Sequence, residues 1–145
     1  MNFLYIEIVT VTIINNDFMR YSKQRELIYN AVTANHIHPT AETVYSMLKK
    51  DHPNLSLGTV YRNLQFLSAR GDIKRLTFRN MPERYDGNME HHYHGVCQNC
   101  GEVIDIFIDY LDNIDDRVSA KYGIKILSHD ITFSVICPKC AGKTA

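Results

Sequence analysis

The stretch Ser56–Gly71, SLGTVYRNLQFLSARG, decides the fold of the first half of this chain. Ser56 is a typical helix N-cap and Gly71 is typical of the residue after a helix, so the pattern predicts one helix between them. Apolar residues recur at helical spacing along one face: Leu57, Val60, Leu64 and Leu67. That face is expected to be buried, which leaves the opposite face to solvent or to a partner.

The polar face of this helix carries side-chain types that read DNA: Thr59, Tyr61, Arg62 and Asn63. Arg can donate two hydrogen bonds to guanine and Asn can pair with adenine, while Tyr can reach a phosphate or a thymine methyl group. A solvated helix face without a partner is the alternative interpretation. The pattern makes these four residues candidate DNA contacts.

The flanking segments extend the pattern to a whole domain. One helix is predicted from about Lys23 to Ala34, and a second begins after Thr40, a plausible N-cap. A hairpin follows the third helix, with strands at Asp72–Phe78 and Glu83–Asp86. Three helices and a basic hairpin indicate a winged helix-turn-helix domain.

Charge separates the two halves of a chain that is neutral overall. The 145 residues carry 16 Lys and Arg against 16 Asp and Glu. Residues 20–84 hold 11 basic and 5 acidic side chains, whereas residues 88–145 hold 5 basic and 8 acidic ones. The basic front half suits a polyanion such as double-stranded DNA. The apolar content of 45% excludes general disorder, and no apolar run is long enough to predict a membrane span.

Past a linker at Gly87–Glu90, the second half alternates strands with one helix. Strands are expected at His91–Val96, Val103–Ile108 and Ile131–Cys137, with a helix at Asp109–Tyr122. The predicted fold class is therefore α+β: a winged-helix DNA-binding domain at residues 19–87 and a small α/β domain at residues 88–145. Residues 1–18 form an extension of uncertain role, and Met19 is a candidate translation start.

Four cysteines form two matched pairs, Cys97-x-x-Cys100 and Cys137-x-x-Cys140. Two such knuckles supply four thiolates for one tetrahedral Zn²⁺, a closed site that stabilises a fold rather than catalysing a reaction. Disulfides, a redox pair and an iron centre are the alternatives. The absence of a secretory pattern disfavours disulfides and favours a cytoplasmic location.

A second metal site is predicted from histidines and aspartates. His92 and His94 share one face of a strand, and Asp105 lies in an apolar strand where a carboxylate needs a partner. His38 and Asp86 from the first half complete a candidate set of five. Imidazole and carboxylate ligands without thiolate suit Fe²⁺, Mn²⁺ or Zn²⁺. An ion held by both halves would couple metal concentration to DNA affinity.

These segments together resemble the ferric uptake regulator family of bacterial metal-responsive repressors. The resemblance spans about Arg20 to Cys140 and rests on five motifs: HPTAETVY (His38–Tyr45), TVYRNL (Thr59–Leu64), ERYD (Glu83–Asp86), HHYHGVCQNCG (His91–Gly101) and CPKC (Cys137–Cys140). It implies a homodimer whose C-terminal domain mediates dimerisation, a structural Zn²⁺ on the four cysteines, and a regulatory Fe²⁺ or Mn²⁺ on the five His and Asp residues.

Two finer expectations follow from the resemblance. A third family site maps to His91, Asp112 and His129, although Tyr93 stands where that site uses an Asp. Asp105, where the iron-uptake branch usually has Glu, resembles the peroxide-sensing repressor branch. Peroxide would then react at bound Fe²⁺ and oxidise a ligand, His38 or His92, which releases the metal and the operator.

Three other functions compete with a peroxide-responsive repressor. An iron- or zinc-responsive repressor would have the same fold. A metal-dependent enzyme could use His92, His94 and Asp105, because two His and one carboxylate form a known open site. The enzyme hypothesis leaves the basic winged helix unexplained, and a plain zinc-ribbon interaction module leaves the His and Asp residues without a role. The sequence therefore favours a regulator rather than an enzyme.

Overall fold

The structure, a computed structural model, describes residues 23–142. The expectations for residues 1–18 and for Met19 lie outside this part of the chain. Two compact units divide between Met89 and Glu90. Within residues 23–142, no helix is both long and apolar enough to cross a membrane.

Within residues 23–89, the N-terminal unit contains three helices and a two-stranded hairpin. Helix α1 occupies residues 23–33, followed by α2 at Ala41–Lys49 and α3 at Leu57–Arg70. Strand β1, Lys74–Leu76, pairs antiparallel with β2, Arg84–Asp86. The predicted winged helix-turn-helix arrangement is present, although both strands are shorter than expected.

Local capping sets the bounds of α2 and α3. The Thr40 side chain accepts a hydrogen bond from the backbone N–H of Thr43, and the Ser56 side chain accepts one from Thr59. Gly71 ends α3 in the left-handed region, with φ of 79°, which glycine adopts without the steric cost of a Cβ atom. The core beneath these helices is apolar and draws on all three: Ile28, Val32, Val44, Val60, Leu64 and Leu67.

The C-terminal unit is built on a three-stranded sheet. Its strands are β3 at Tyr93–Cys97, β4 at Val103–Ile106 and β5 at Thr132–Val135. Strand β3 lies in the centre, antiparallel to β4 and parallel to β5. All five β3 residues are buried, so side chains on either face of this strand are shielded from water.

Helix α4, Asp112–Tyr122, connects β4 to β5 and contributes no buried residue. It begins three residues later than the sequence predicted, while the predicted end at Gly123 is confirmed by a left-handed residue with φ of 66°. A short helix α5, Pro138–Ala141, carries the last cysteine. The mixed helix and strand content confirms the predicted fold class.

Candidate functional site

The four cysteines of the C-terminal unit converge. One knuckle lies in the turn after β3 and the other at the start of α5, and the four sulfur atoms lie within 4.8 Å of one another. The Sγ atoms of Cys100 and Cys137 are 3.7 Å apart. A tetrahedral ion with Zn–S bonds of about 2.3 Å places its sulfurs about 3.8 Å apart. The geometry therefore fits the predicted zinc site.

Backbone groups prepare this cluster for thiolates. The N–H of Cys137 donates to Cys97 Sγ at 3.3 Å, and such backbone donors lower the pKa of Cys97 to about 6. Burial instead raises the pKa of Cys137 to about 12. Because four neighbouring thiolates repel one another, their full ionisation needs a cation, and Zn²⁺ would supply that positive charge.

Three predicted ligands come together around β3 and β4. His94 lies directly opposite Asp105 in the strand register. The Oδ1 atom of Asp105 is 3.1 Å from His92 Nε2 and 3.5 Å from His94 Nε2, and the two Nε2 atoms are 3.1 Å apart. The side chains of His92 and Asp105 are 0% and 10% exposed. These three residues form a converging two-histidine, one-carboxylate group.

The ring of His92 is oriented for metal binding. Its Nδ1 lies 2.9 Å from the carbonyl oxygen of Glu90. A proton on Nδ1 donated to that carbonyl leaves a lone pair on Nε2, the atom that faces Asp105 and His94. Backbone orientation of a histidine in this manner is common at metal centres. The site therefore fits the predicted Fe²⁺ or Mn²⁺.

The remaining two predicted ligands lie together in the N-terminal unit. His38 Nε2 is 4.0 Å from Asp86 Oδ2, and both residues are buried. His38 has a φ of 49°, a conformation that costs free energy in a non-glycine residue and that often marks a functional position. Arg84 fixes this backbone by donating to the His38 carbonyl at 3.1 Å. The structure thus places His38 beside Asp86 in the N-terminal unit.

The outer face of α3 exposes Tyr61 and Arg62. Arg62 Nη2 donates to Thr59 Oγ1 at 3.1 Å. The Tyr61 hydroxyl donates to Glu42 Oε1 on α2 at 2.5 Å. This hydrogen bond raises the pKa of Tyr61 and lowers that of Glu42. Sequence reasoning missed Glu42, because its partner is 19 residues away and no local pattern links them.

Asn63 does not belong to this exposed face, which corrects the prediction that it reads a base. It is 2% exposed, its Nδ2 donates to the Thr59 carbonyl at 2.9 Å, and its Oδ1 accepts from Arg25 at 3.3 Å. Arg25 also lies over the Phe66 ring at 3.7 Å. Asn63 therefore joins α1 to α3 inside the N-terminal unit.

The predicted third site is arranged differently from its expected form. His129 Nδ1 contacts Asp115 Oδ1 at 2.6 Å, rather than Asp112 one helical turn earlier. Its Nε2 contacts the Tyr93 hydroxyl at 2.6 Å. Among residues 23–142, His91, Asp112 and His129 do not form a metal-capable group, whereas the four cysteines do, and His92, His94 and Asp105 converge within the C-terminal unit.

Comparisons with known sequences identify relatives along most of the chain. The profile of the Ferric uptake regulator family matches residues 16–134. A Staphylococcus saprophyticus protein named Peroxide-responsive repressor PerR is 30% identical over 92% of this chain and 90% of its own length. The Bacillus subtilis Peroxide operon regulator is 32% identical over 86% of each chain. Both relatives are named as regulators rather than enzymes.

Solved structures show the same fold. The Helicobacter pylori ferric uptake regulator Fur, described as having three functional metal binding sites, matches with a TM-score of 0.72 and 30% identity over 92% of this chain and 90% of its own. The Campylobacter jejuni peroxide stress regulator matches with a TM-score of 0.72 and 27% identity over 90% of this chain and 98% of its own.

Proposed function

This chain belongs to the ferric uptake regulator family, and from that premise we propose that it is a dimeric, metal-dependent repressor of transcription that senses peroxide in the cytoplasm. The observation that carries the proposal is the convergence of His92, His94 and Asp105, whose donor atoms are oriented toward one point. Two imidazoles and one carboxylate suit Fe²⁺ and do not complete its coordination. The relatives named for peroxide responses support the same conclusion.

We further propose that His38 and Asp86 bind the same ion as the three residues of the C-terminal unit. Each group is already paired within its own unit, so little conformational entropy remains to be lost on metal binding. An ion that requires ligands from both units stabilises one arrangement of those units. Metal binding and operator binding then favour the same state, and each increases the affinity of the other.

Peroxide sensing follows from the ligand types. The His and Asp residues would hold Fe²⁺ beside the imidazole rings, where it would promote the reaction of peroxide with a ring: one oxygen atom of the peroxide would pass to a ring carbon and the other would leave in water. His38 and His92 are the rings expected to gain an oxygen atom, after which the oxidised ring no longer donates its lone pair. Loss of one ligand weakens the set and releases the operator. Mn²⁺ in the same site supports DNA binding without this reactivity.

The DNA interface in this proposal is the exposed face of α3. Thr59, Tyr61 and Arg62 are placed to contact the operator, with Arg62 as the candidate base-reading residue. The wing between β1 and β2 adds positive charge near phosphates, including exposed Arg75 and Arg79.

Dimerisation is proposed for the C-terminal unit because α4 buries none of its residues within the unit. Large apolar side chains at the end of the helix and just after it are exposed: Tyr122, Ile124 and Leu127. Several exposed apolar side chains close together in the chain are typical of a protein interface. A second copy of the chain, as the family fold implies, would cover it.

A DNA-binding assay with the zinc-loaded chain tests the function. Operator fragments are titrated with protein carrying Fe²⁺, Mn²⁺ or additional Zn²⁺, with and without peroxide. We expect Fe²⁺ and Mn²⁺ to support binding, and peroxide to abolish it only with Fe²⁺. Mass spectrometry should then locate one added oxygen atom on His38 or His92. Metal-dependent binding to the operator that is unchanged by peroxide would instead favour an iron- or zinc-responsive repressor.

A further inference from the structure

We infer that Tyr93, His129 and Asp115 form a metal-free clamp that fixes the start of α4 on the sheet, in the place where the sequence suggested a third metal site. Tyr93 lies between His92 and His94 in sequence. Because side chains alternate along a strand, it faces away from those two ligands. It is 1% exposed, so its hydroxyl needs partners inside the unit.

Both ring nitrogens of His129 are engaged by protein groups. Nδ1 is 2.6 Å from Asp115 Oδ1, and Nε2 is 2.6 Å from the Tyr93 hydroxyl. When Nδ1–H donates to the carboxylate and Nε2 accepts from the phenol, all three groups are satisfied. A histidine binds a metal through the lone pair of a ring nitrogen, and here neither nitrogen offers one without breaking a short hydrogen bond.

The hydrogen bonds continue from His129 into the helix. The Tyr93 oxygen accepts from the backbone N–H of Leu111 at 3.1 Å. The second oxygen of Asp115 accepts from the Tyr110 hydroxyl at 2.9 Å. Burial raises the pKa of Asp115, but the hydrogen bonds from His129 and Tyr110 outweigh it and hold that pKa below its usual value. Asp115 is therefore an ionised acceptor for both donors.

Aromatic contacts enclose the clamp. The Tyr110 ring stacks on His129 with centroids 4.4 Å apart. His91 packs edge-on against Tyr110 at 4.5 Å and against Tyr93 at 4.9 Å. Its ring centroid is 6.4 Å from that of His129. His91 thus packs against the edge of the aromatic cluster, a structural role that requires no metal.

Helix α4 has neither a side-chain N-cap nor a buried face, so the clamp is what attaches it to the sheet. The N-cap residue of α4, Leu111, provides no side-chain hydrogen bond, and none of the helix residues is buried. The clamp supplies an acceptor for the Leu111 N–H and holds Asp115 in the first turn. An ionised Asp in that turn also interacts favourably with the helix dipole. Tyr93, His129 and Asp115 are therefore positioning residues for α4.

Hydrogen exchange on the full-length, zinc-loaded chain tests the clamp. Tyr93→Phe removes the hydroxyl and keeps the ring. We expect the amides at the start of α4 to exchange about 5-fold faster or more, the effect of losing one buried hydrogen bond, while β3 amides and zinc content stay unchanged. Tyr29→Phe is the matched control, because it removes the hydroxyl of an exposed tyrosine outside the C-terminal unit, and the amides of α4 should exchange in it as they do in wild type. Unchanged exchange in Tyr93→Phe would overturn the clamp.

Metal counting by native mass spectrometry provides the second test. Wild type, Tyr93→Phe and His129→Ala should bind the same number of zinc ions when zinc is added in excess. An additional ion in wild type that is absent from His129→Ala would overturn the inference and establish a third metal site. Zinc in excess also fills the regulatory site, but equally in all three proteins, and neither readout involves DNA or peroxide, so the clamp and the proposed function can fail independently.

Discussion

The C-terminal unit contains two metal-capable groups of opposite character. Four cysteines from two distant knuckles complete a tetrahedron, and all the ligands that zinc needs come from one unit. His92, His94 and Asp105 also converge, but three N and O ligands do not saturate Fe²⁺ or Mn²⁺. A closed set of ligands makes the metal part of the fold, whereas an incomplete set lets the metal exchange, so that occupancy follows the metal concentration.

The largest expected effect is loss of the thiolate cage. Cys100→Ser removes one of four zinc ligands. Structural zinc sites contribute about 10–16 kcal/mol of apparent binding free energy, as much as or more than the roughly 5–15 kcal/mol that typically stabilises a domain. The C-terminal unit should therefore unfold, which circular dichroism and elemental analysis would show. Gln98→Ala, an exposed change in the same turn, is the control. A folded, zinc-free Cys100→Ser protein would contradict a structural role.

Loss of the incomplete set should leave the fold intact. Asp105→Ala removes the one carboxylate of the group formed by His92, His94 and Asp105. We expect the affinity for Mn²⁺ to fall by about 100-fold or more, and metal-dependent binding to the operator to be lost. The zinc ion on the four cysteines should be retained. Isothermal titration with Mn²⁺ and elemental analysis measure the two sites separately. If cage zinc were lost as well, the two groups would not be independent.

Asp105→Glu tests whether the length of this acidic side chain sets the response to peroxide. The carboxylate is kept and moved by one methylene group, so metal-dependent repression should survive. The longer side chain matches the residue usual in iron-uptake relatives, and release of the operator by peroxide should become slower. Gel-shift time courses after peroxide addition measure this rate. A release rate equal to that of wild type would contradict the assignment to the peroxide-sensing branch.

In the N-terminal unit, Arg62 and Asn63 are expected to behave differently despite adjacent positions. Arg62→Ala should weaken operator binding by about 1–3 kcal/mol, which is about 5- to 150-fold, and leave stability unchanged. Asn63→Ala should instead lower the free energy of unfolding by about 1–3 kcal/mol, because buried partners lose their hydrogen bonds. Fluorescence anisotropy with operator DNA and urea denaturation separate the two effects. Unaltered affinity in Arg62→Ala would argue against DNA reading by α3.

The smallest effect concerns Glu42, whose carboxylate accepts from Tyr61 at an exposed position. Because the folded state lowers the pKa of Glu42, the bond stabilises the protein above the unfolded pKa, near 4.5, and this contribution disappears as pH falls through the lower folded value. Glu42→Gln should cost less than about 0.5 kcal/mol at neutral pH, given solvent screening. Urea denaturation across the acidic range should show a shallower pH dependence in the variant than in wild type.

Much of this molecule followed from local sequence rules. Helix α2 begins after Thr40, and α3 begins after Ser56 and ends before Gly71, as predicted. These boundaries follow from local sequence because capping involves only neighbouring residues. The alternation of His92 and His94 on one strand face follows from the period of a strand. Asn63 shows a signal that was present but misinterpreted. Its spacing from Val60 and Leu67 is that of the buried stripe, so periodicity outweighed its polar character.

Other contacts lay beyond any local rule. Asp112 and Asp115 are one helical turn apart, so spacing alone could not decide which of them meets His129. The start of α4 was placed too early because the clamp, rather than an N-cap side chain, fixes it. Glu42 and Tyr61 meet because α2 and α3 cross, and the sequence carries no pattern for that crossing.

Local sequence was enough to determine helices α1, α2 and α3, the two cysteine knuckles and the chemical types of the metal ligands, since each depends on residues within a few positions of one another. Tertiary structure alone decided that Arg25 donates to Asn63, that Tyr93 and Asp115 occupy both nitrogens of His129, and that Glu42 accepts from Tyr61. These pairings join distant segments. Their partners are selected by how helices and strands pack, which local preferences do not specify.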